Sequence, residues 1–248
     1  LRPGIARSAR QDAILHASTF SPGAIPRSRR HVLTLDRPVY IVPFMNPIPE
    51  TNTRERLIAA MSDALQCRGF HGVGVNEVLA QAGAPKGVLY HHFPGGKTEL
   101  AVVAIETAVA RIQASFEQLF VSKGDALLVL RAWLGYAQKQ LEQSGFERGC
   151  PLAAVALETT AEDAQLRAAL AQGFVAIREQ LAGMLAHSGL RPARAQQLAL
   201  LIVAAYEGAL MQARVAGSVK PLQEVCDTLL TLVEHEQAQA QAGAGART

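Results

Sequence analysis

From Thr53 onward, apolar residues recur at the three- and four-residue spacing of an amphipathic α-helix, almost to the end of the chain. In the first such segment, which Thr53 is predicted to cap, Leu57, Met61 and Leu65 share one face and Gly69 marks the end. No stretch of useful length alternates with the period of two that marks a half-buried strand. The pattern therefore predicts an all-α protein of about nine helices.

The boundaries of the later helices are predicted from capping residues, from proline at helix starts and from glycine just past helix ends. Pro85 is expected to open the third helix, and Gly96 to begin the long fourth one. The predicted segments after the first are 75–82, 84–91, 96–120, 125–143, 151–160, 164–187, 192–216 and 220–239. The Ala-, Gln- and Gly-rich residues 241–248 are expected to form a disordered tail.

Residues 1–50 differ from the rest, because they hold seven of the twelve prolines and show no sustained period. We expect this segment to be disordered. Since the chain begins with Leu1 and Met45 lies just before the first helix, we expect the native protein to start near Met45. The alternative is a basic arm that contacts DNA phosphates, since residues 1–44 carry seven Arg and two Asp while residues 98–248 are mildly acidic.

Composition narrows the class of protein further. No run of about 18 uncharged apolar residues is present, so no membrane span is expected. Cys67, Cys150 and Cys226 are too few and too scattered for a disulfide framework or a paired-cysteine zinc site. No cofactor loop, metal set or nucleophile–base pair is recognisable, so the sequence predicts a cytoplasmic protein without cofactors that is not an enzyme.

Gly95-Gly96-Lys97-Thr98 has the form of the last residues of a nucleotide-binding loop. That loop requires a further glycine where this chain has His91, and a strand before it, and neither is present. At the start of a long helix, however, free backbone N–H groups and the helix dipole favour an anion. Lys97 adds a positive charge there, and the expected anion is a phosphate of nucleic acid.

The two short predicted helices before this point, joined at Gly83, have the proportions of a helix-turn-helix unit. In such a unit the second helix enters the major groove and the first braces it against the backbone. Here the second helix carries the residues "APKGVLYH".

The segment "GFHGVGVNEVLAQAGAPKGVLYHHFPGGKTEL", within Arg54 to Leu100, resembles the DNA-binding domain of TetR-family transcriptional regulators. "GCPLAAVALET" at 149–159 is similar to the LmrA/YxaF-like branch of that family. The resemblance implies a three-helix helix-turn-helix domain at 51–98 and a helical ligand-binding and dimerisation domain at 99–240. One position departs from the family, because Gly74 stands where Thr or Ser usually caps the second helix, so one hydroxyl contact with phosphate is expected to be missing.

The resemblance also implies which residues contact the DNA operator. Lys86, Gly87 and Val88 are expected to face the groove, where lysine reads guanine and a small apolar side chain touches a thymine methyl group. The remaining predicted DNA contacts are Tyr90, His91, Gly96, Lys97, Gly74 and Asn76. The alternatives are a solvated surface charge at Lys86 and a half-buried core aromatic at Tyr90. Adjacent His91 and His92 do not predict a metal site, since no third ligand has suitable spacing.

The C-terminal helices are expected to form the homodimer interface, and the alternative is packing within one chain. The predicted interface residues are Tyr206, Gly208, Ala209, Leu222, Val225 and Leu229. The family also has a small-molecule pocket in this region, whose predicted walls are Trp133, Tyr136, Phe116 and Phe174. Few charges fall among these positions, which favours an apolar or aromatic effector. Cys150 at a helix start raises a redox-sensing alternative, because helix N-termini lower thiol pKa values.

These features predict a DNA-binding transcriptional regulator that acts as a repressor and leaves its operator when a small ligand binds. The alternatives are a helical enzyme and a helical interaction module with a vestigial DNA-binding head.

Overall fold

The computed structural model describes residues 52–245, with side chains as far as residue 242. This part of the chain forms nine α-helices and contains no strand, as the periodicity predicted. The helices are α1 (Thr53–Arg68), α2 (Val75–Gln81), α3 (Val88–His92), α4 (Gly96–Lys123), α5 (Ala126–Gln143), α6 (Pro151–Ala156), α7 (Ala164–His187), α8 (Pro192–Ala216) and α9 (Lys220–Gly245). The disorder predicted for 1–50 lies outside the described residues.

The N-cap of helix α1 lies one residue earlier than predicted. The N-cap is Asn52, whose Oδ1 accepts a hydrogen bond from the Glu55 N–H at 3.1 Å, and Thr53 is already the first helical residue. Asparagine is among the strongest N-cap residues because its short side chain satisfies a free backbone donor of the first turn. Gly69 ends the helix, as predicted.

The turn between α2 and α3 depends on a left-handed residue at Gly83, with φ +59°. The N–H of Ala84 donates to the Leu79 carbonyl at 2.9 Å, and the N–H of Gly83 donates to the Ala80 carbonyl at 3.1 Å. A side chain would oppose this backbone conformation, and glycine adopts it without that cost. The structure therefore places the junction of the helix-turn-helix unit at Gly83, as predicted.

Helix α3 starts later than predicted, at Val88 instead of 84 or Pro85. The Val88 N–H donates to the Pro85 carbonyl at 3.1 Å, which closes a turn over Lys86 and Gly87 before the helix begins. Gly87 is the N-cap and has no side chain that could accept a hydrogen bond from the first turn. Lys86 and Gly87 therefore lie at the tip of the turn that leads into α3.

The long helix α4 connects the first three helices to the rest of the protein, packing against α1, α5 and α7. Helix α7 packs on α8, and α8 packs on α9, so that the C-terminal helices form successive layers. A single apolar core runs through both parts, from Leu57 and Met61 near the front to Phe116, Leu185 and Val233 behind.

Helix α8 is, among the described helices, the one long and apolar enough to cross a membrane by length and composition. Only a third of its most apolar window is buried. Its buried residues include Leu198, Ile202 and Leu210, while Leu200 and Leu201 are about half exposed. Packing within the chain thus buries only part of the apolar surface of α8.

The largest differences from the predicted helix ends are in α6 and α9. Helix α6 stops at Ala156 instead of near Thr160, and the residues beyond it form a turn in which Asp163 Oδ2 accepts from the Thr160 N–H at 2.8 Å. Helix α9 continues to Gly245, so the tail predicted to be disordered from 241 is helical over its first five residues. Ala and Gln favour helices, which offsets the glycines there.

Candidate nucleic-acid interface and effector cavity

The surface formed by α2, α3 and the turn between them carries most of the residues predicted to contact DNA. Gly74 and Asn76 at the start of α2 and Lys86, Gly87 and His91 around α3 are all exposed. Tyr90 is 63% exposed, so it is not the half-buried core aromatic that the sequence left as an alternative. The structure therefore keeps these polar groups free of the core, as a DNA contact requires.

The apolar residues between them hold α3 in place. Leu89 is 1% exposed and Phe93 is fully buried, while Val88 is partly buried against the core. The residues at 88–93 thus divide into an inward set, Leu89 and Phe93, and an outward set, Tyr90 and His91. His92 is partly buried beside His91, with ring centroids 5.0 Å apart.

Gly96 was predicted to contact DNA, and the structure gives it a different role. Gly96 is buried and has φ +66°. A Cβ atom at this position would lie 3.2 Å from Cε1 of Tyr90. Since that ring covers Gly96, the residue lets Tyr90 pack against the start of α4 and is not itself open to a phosphate.

Two of the backbone N–H groups expected to bind an anion at this helix start, those of Gly95 and Gly96, are already occupied. The Gly95 N–H donates to Glu99 Oε2 at 2.7 Å, and the Gly96 N–H donates to the Phe93 carbonyl at 2.8 Å. Glu99 thus caps α4 from its own first turn, which is a favourable position for a carboxylate at a helix N-terminus. The anion site predicted at Gly95 and Gly96 is therefore not free.

Lys97 is partly buried, and its ammonium group lies 4.2 Å from the centroid of the Phe70 ring. Desolvation lowers the pKa of Lys97, and the nearby Glu158 carboxylate opposes that shift. A phosphate contact by Lys97 requires its ammonium group to move off the Phe70 ring. Lys97 is consequently less open to DNA than Lys86 and Tyr90.

A cavity of about 110 Å³ lies between α1, α4, α5, α7 and α8. Three of the four predicted walls line it, namely Phe116, Trp133 and Tyr136. The centroids of Phe116 and Trp133 are 5.1 Å apart, and those of Trp133 and Tyr206 are 4.9 Å apart. The cavity therefore has an aromatic wall built from α4, α5 and α8.

One prediction about the walls of the cavity was wrong. Phe174 lies at a separate surface depression with Ala156 and Leu170, because α7 turns that side chain away from the cavity. Tyr206, predicted for the dimer interface, also lines the cavity; it is partly exposed and stays a prediction for that interface. Adjacent residues of α8 face opposite ways, as Leu201 is exposed and Ile202 lines the cavity, and residue type does not distinguish the two faces.

Glu207 is the acidic residue of the cavity. Burial raises the pKa of Glu207 to about 7, although a hydrogen bond with Cys150 lowers it in part. Within residues 52–242, the buried atoms Glu207 Oε2 and Trp133 Nε1 have no hydrogen-bond partner. An acceptor and a donor thus line the same apolar cavity unpaired, and a buried polar group without a partner is costly.

The thiol of Cys150 faces this carboxyl group. Burial raises the pKa of Cys150 well above its usual value, and the nearby Glu207 raises it further. A reactive redox thiol has a lowered pKa, so the structure is contrary to the redox-sensing alternative. Among the described residues, no group of three or more His, Cys, Asp or Glu side chains could hold a metal ion.

The cavity also reaches the helix-turn-helix domain directly. Gln66, near the end of α1, lines it together with Gly149 and Cys150 from the segment before α6. The Gly149 N–H donates to the Gln66 carbonyl at 3.1 Å, and Arg148 Nη1 lies 3.1 Å from Asp63 Oδ1 on α1. Sequence patterns did not identify these residues, since their contacts join positions more than 80 residues apart.

Three residues predicted for the dimer interface are buried inside one chain. Ala209, Leu222 and Leu229 are 1%, 0% and 5% exposed, because α8 and α9 pack on each other and on neighbouring helices. Gly208 and Val225 are partly exposed and stay predictions. The apolar residues Leu222 and Leu229 of α9 therefore pack mainly within the chain, which is the alternative given in the sequence analysis.

A different face of α8 is exposed and apolar. Leu201, Ala204, Gly208, Met211 and Val215 are spaced by three, four, three and four residues, which places them on one face of the helix. Leu201, Met211 and Val215 are 48%, 52% and 87% exposed. We call these five residues the α8 seam.

Comparison with known proteins agrees with this architecture. Residues 57–104 match bacterial regulatory proteins of the tetR family, and residues 126–228 match the C-terminal domain of LmrA/YxaF-like transcriptional regulators. An HTH-type transcriptional regulator of Mycobacterium tuberculosis is 32% identical over 185 residues, which cover 73% of this chain and 93% of that protein. LmrA of Bacillus subtilis is 26% identical over 183 residues, covering 74% and 97%.

Solved structures give the same result for the fold. The regulatory protein TetR from Rhodobacter sphaeroides has a TM-score of 0.64 and 27% identity, covering 73% of this chain and 98% of that one. The reduced form of Escherichia coli NemR has a TM-score of 0.63 and 26% identity, covering 72% and 95%. These proteins are transcriptional regulators and not enzymes. The chain is a DNA-binding transcriptional regulator of the TetR family, and its C-terminal domain matches that of the LmrA/YxaF-like regulators.

Proposed function

We propose that this regulator is a repressor that binds its operator as a homodimer and leaves it when a small molecule enters the cavity described above. The observation that carries this proposal is the position of the cavity, whose wall includes Gln66 of the helix-turn-helix domain. A ligand there contacts the DNA-binding part and the helical part at once. The protein then acts in the bacterial cytoplasm, on nucleoid DNA.

The DNA contacts follow from the exposed tip of the helix-turn-helix unit. Lys86 and Gly87 lie at the turn before α3, where they can approach base edges in the major groove, with Val88 beside them. Tyr90 and His91 are placed to contact phosphates, together with Gly74 and Asn76 at the start of α2. Lys97 joins them when its ammonium group leaves the Phe70 ring.

The dimer brings two such tips to successive major grooves, as a two-fold operator requires. The α8 seam supplies the contact, because its exposed apolar side chains have the spacing of a helix–helix interface. Two copies of the seam bury Leu201, Met211 and Val215, which are otherwise in water. Gly208 lets the helices approach closely, and Val225 of α9 lies at the edge of the interface.

Release from DNA requires that the effector bind one conformation more tightly than the other. Helix α4 can transmit ligand binding to the DNA-binding surface. Its residue Phe116 lines the cavity, and Gly96 at its start packs against Tyr90. The Gln66–Gly149 hydrogen bond offers a second route through α1. Movement of either element changes the separation of the two α3 tips in the dimer.

The test is a binding titration with labelled DNA from the region beside the gene of this protein. We expect saturable binding that is at least about 1,000-fold tighter than binding to random DNA of equal length, as specific regulators show. Equal affinity for both DNAs at every salt concentration contradicts a sequence-specific repressor. A chemical library is then screened for compounds that reduce the specific binding alone.

A further inference from the structure

The cavity holds one feature that an apolar effector site does not require, namely an acidic side chain deep in its wall. Glu207 is the one acid within the apolar stretch of α8 from 195 to 213. Its Oε2 atom is buried, lines the cavity and has no hydrogen-bond partner among residues 52–242. A buried carboxylate oxygen without a partner is unfavourable, so a ligand that supplies a donor to Oε2 gains that free energy on binding.

We propose that the effector is a small aromatic amine, with its ammonium group paired to the Glu207 carboxylate and its ring against Trp133. This inference rests on the proposed function for the identity of the cavity as the effector site. It extends that function by naming the chemical class of the ligand.

The charge of the cavity favours a cation over an anion. Arg148 is the cationic side chain that lines it, and its guanidinium group is already 3.1 Å from the Asp63 carboxylate. Arg214, two turns beyond Glu207 on α8, donates from Nη2 to the Glu147 carbonyl at 2.8 Å. The Arg214 Nε atom is buried without a partner among residues 52–242, but neither guanidinium group contributes to the pKa of Glu207, which is set by burial and by Cys150. A cationic ligand therefore meets a carboxylate that neither arginine neutralises.

The aromatic wall also suits a cation. Phe116, Trp133 and Tyr206 form a continuous row with centroid separations of 5.1 and 4.9 Å and interplanar angles of 41° and 55°. A cation within about 6 Å of an aromatic face is attracted by the ring quadrupole. Since the three rings and Glu207 line the same cavity, an ammonium group bound there lies among aromatic side chains as well as near the carboxylate.

The size of the cavity limits the ligand to about one aromatic ring. Its volume of about 110 Å³ is somewhat below the roughly 150 Å³ of an engineered protein cavity that binds benzene. The probe is therefore kept as small as the chemistry allows, a single ring with a one-carbon arm, because an amine joined directly to the ring is too weakly basic to be a cation at neutral pH. Benzylamine meets this description, and benzyl alcohol and benzoate are its neutral and anionic counterparts of similar shape.

The other titratable and charged groups around Glu207 do not reverse this preference. Burial raises the pKa of Tyr206 and of Cys226, so both stay neutral at physiological pH. The lining residues from α1, α4 and α7 carry no charge. Besides Glu207, the polar or titratable side chains facing the cavity from these and the remaining elements are Gln66, Trp133, Tyr136, Gln140, Arg148, Cys150 and Tyr206.

The single tryptophan of the chain provides the readout, because Trp133 lies in the cavity wall. Benzylamine, benzyl alcohol and benzoate are titrated into the full-length protein without DNA, and binding is followed by Trp133 fluorescence and by calorimetry. We expect benzylamine to bind at least about tenfold more tightly than benzyl alcohol, and benzoate to bind most weakly. Equal affinity for benzylamine and benzyl alcohol overturns the proposal, as does the absence of saturable benzylamine binding.

Variants separate the carboxylate from the cavity itself. Glu207→Gln keeps the size of the side chain and removes its charge, so we expect benzylamine affinity to fall about tenfold or more while benzyl alcohol affinity changes less than about twofold. Glu234→Gln, an exposed acid of α9 away from the cavity lining, is the matched control and is expected to bind like wild type. Unchanged benzylamine affinity in Glu207→Gln overturns the proposal.

The wild-type protein alone gives a second test, which does not depend on the folding of a variant. Since the pKa of Glu207 is about 7, the carboxylate fraction rises about tenfold between pH 6 and pH 8. Benzylamine stays protonated over this range, so its affinity is expected to rise by about the same factor, whereas that of benzyl alcohol stays nearly constant. A benzylamine affinity independent of pH overturns the proposal.

The same preparation is tested separately for operator binding. Benzylamine binding without DNA binding leaves the ligand class supported and removes the repressor function. DNA binding without benzylamine binding overturns the ligand class and leaves the repressor function supported.

Discussion

The N–H of Gly149 donates a hydrogen bond of 3.1 Å to the carbonyl oxygen of Gln66, so the segment before α6 is attached to the end of α1 at the wall of the cavity. Glu158, just past α6, adds a second attachment. Its Oε2 accepts from the N–H groups of Phe70 and His71 at 2.7 and 2.9 Å. A ligand that moves this segment therefore acts on the helix-turn-helix domain through hydrogen bonds already present.

Removing the charge of Glu158 tests that second attachment. We expect Glu158→Gln to reduce the free energy of unfolding by about 1 kcal/mol, because an amide oxygen accepts more weakly than a carboxylate. Hydrogen exchange at the amides of Phe70 and His71 should become faster. Glu162→Gln, at an exposed acid nearby, is the control. Identical exchange at both amides in the two variants would show that Glu158 does not hold this loop.

Gly96 should not tolerate a side chain. Its φ of +66° is unfavourable for other residues, and a new Cβ would crowd the Tyr90 ring at 3.2 Å. We expect Gly96→Ala to destabilise the protein by about 1–2 kcal/mol and to weaken DNA binding through the displaced tyrosine.

Gly135→Ala is the matched control for this substitution. Gly135 lies within α5, where an added Cβ meets no atom within 4 Å. Alanine favours a helix interior over glycine by about 1 kcal/mol, so this variant should be more stable than wild type. Thermal or urea unfolding measures both variants, and equal stability for the two would contradict the packing described at Gly96.

The stability of the protein should fall as pH rises through neutrality. Burial raises the pKa of Glu207 to about 7. Between the lower pKa that Glu207 has in the unfolded state and pH 7, the folded state therefore holds a proton that the unfolded state has released. This stabilisation is complete below the unfolded pKa and is lost as pH rises through the folded pKa. Between about pH 5 and pH 8 the loss amounts to roughly 2–3 kcal/mol.

Urea unfolding at these two pH values, compared between variants, isolates the contribution of Glu207. We expect Glu207→Gln to lack this part of the pH dependence and Glu234→Gln to keep it. A pH dependence that is the same in wild type and in Glu207→Gln would mean that Glu207 is ionised at similar pH in the folded and unfolded states.

The α8 seam should determine the oligomeric state. Because a charge in an apolar helix interface must be desolvated, we expect Leu201→Glu and Met211→Glu to shift the protein from dimer to monomer in analytical ultracentrifugation. Val121 of α4 is 83% exposed and lies outside the seam, so Val121→Glu is the control that stays dimeric. Dimers of unchanged stability in both seam variants would place the interface elsewhere.

Local signals in the sequence predicted most of the helices. Helices α7 and α8 begin and end at the predicted residues, since Pro192 and the glycines at 189 and 217 act on their immediate neighbours. The start of α3 was missed because Pro85 is equally suited to a turn and to a first helical position. Here the hydrogen bond from Val88 to Pro85 selects the turn.

The lining of the cavity could be predicted only in part. Trp133 and Tyr136 were identified because large aromatic side chains three apart share one face of α5. Gln66 and Gly149 have no local signal, since their role depends on a contact across more than 80 residues. Glu207 did have one, as a single acid in an apolar helix, and a buried acid of this kind often marks a functional site.

Helical periodicity also left open which partner covers an apolar face. The stripe through Leu222 and Leu229 was predicted to face a second subunit, yet both residues are buried against the same chain. The seam through Leu201 and Met211 has a similar period and is exposed. Only the packing of α8 between α7 and α9 distinguishes the two faces.

A comparison of two lysine variants shows whether the exposed tip at Lys86 reads the operator. Affinities of Lys86→Ala and Lys139→Ala, the second an exposed lysine of α5, are measured by fluorescence anisotropy on operator and random DNA over a range of salt. We expect Lys86→Ala to lose about 1–3 kcal/mol of operator binding and most of its preference over random DNA, while Lys139→Ala binds like wild type. Wild-type operator affinity in Lys86→Ala at all salt concentrations would show that Lys86 does not read the operator.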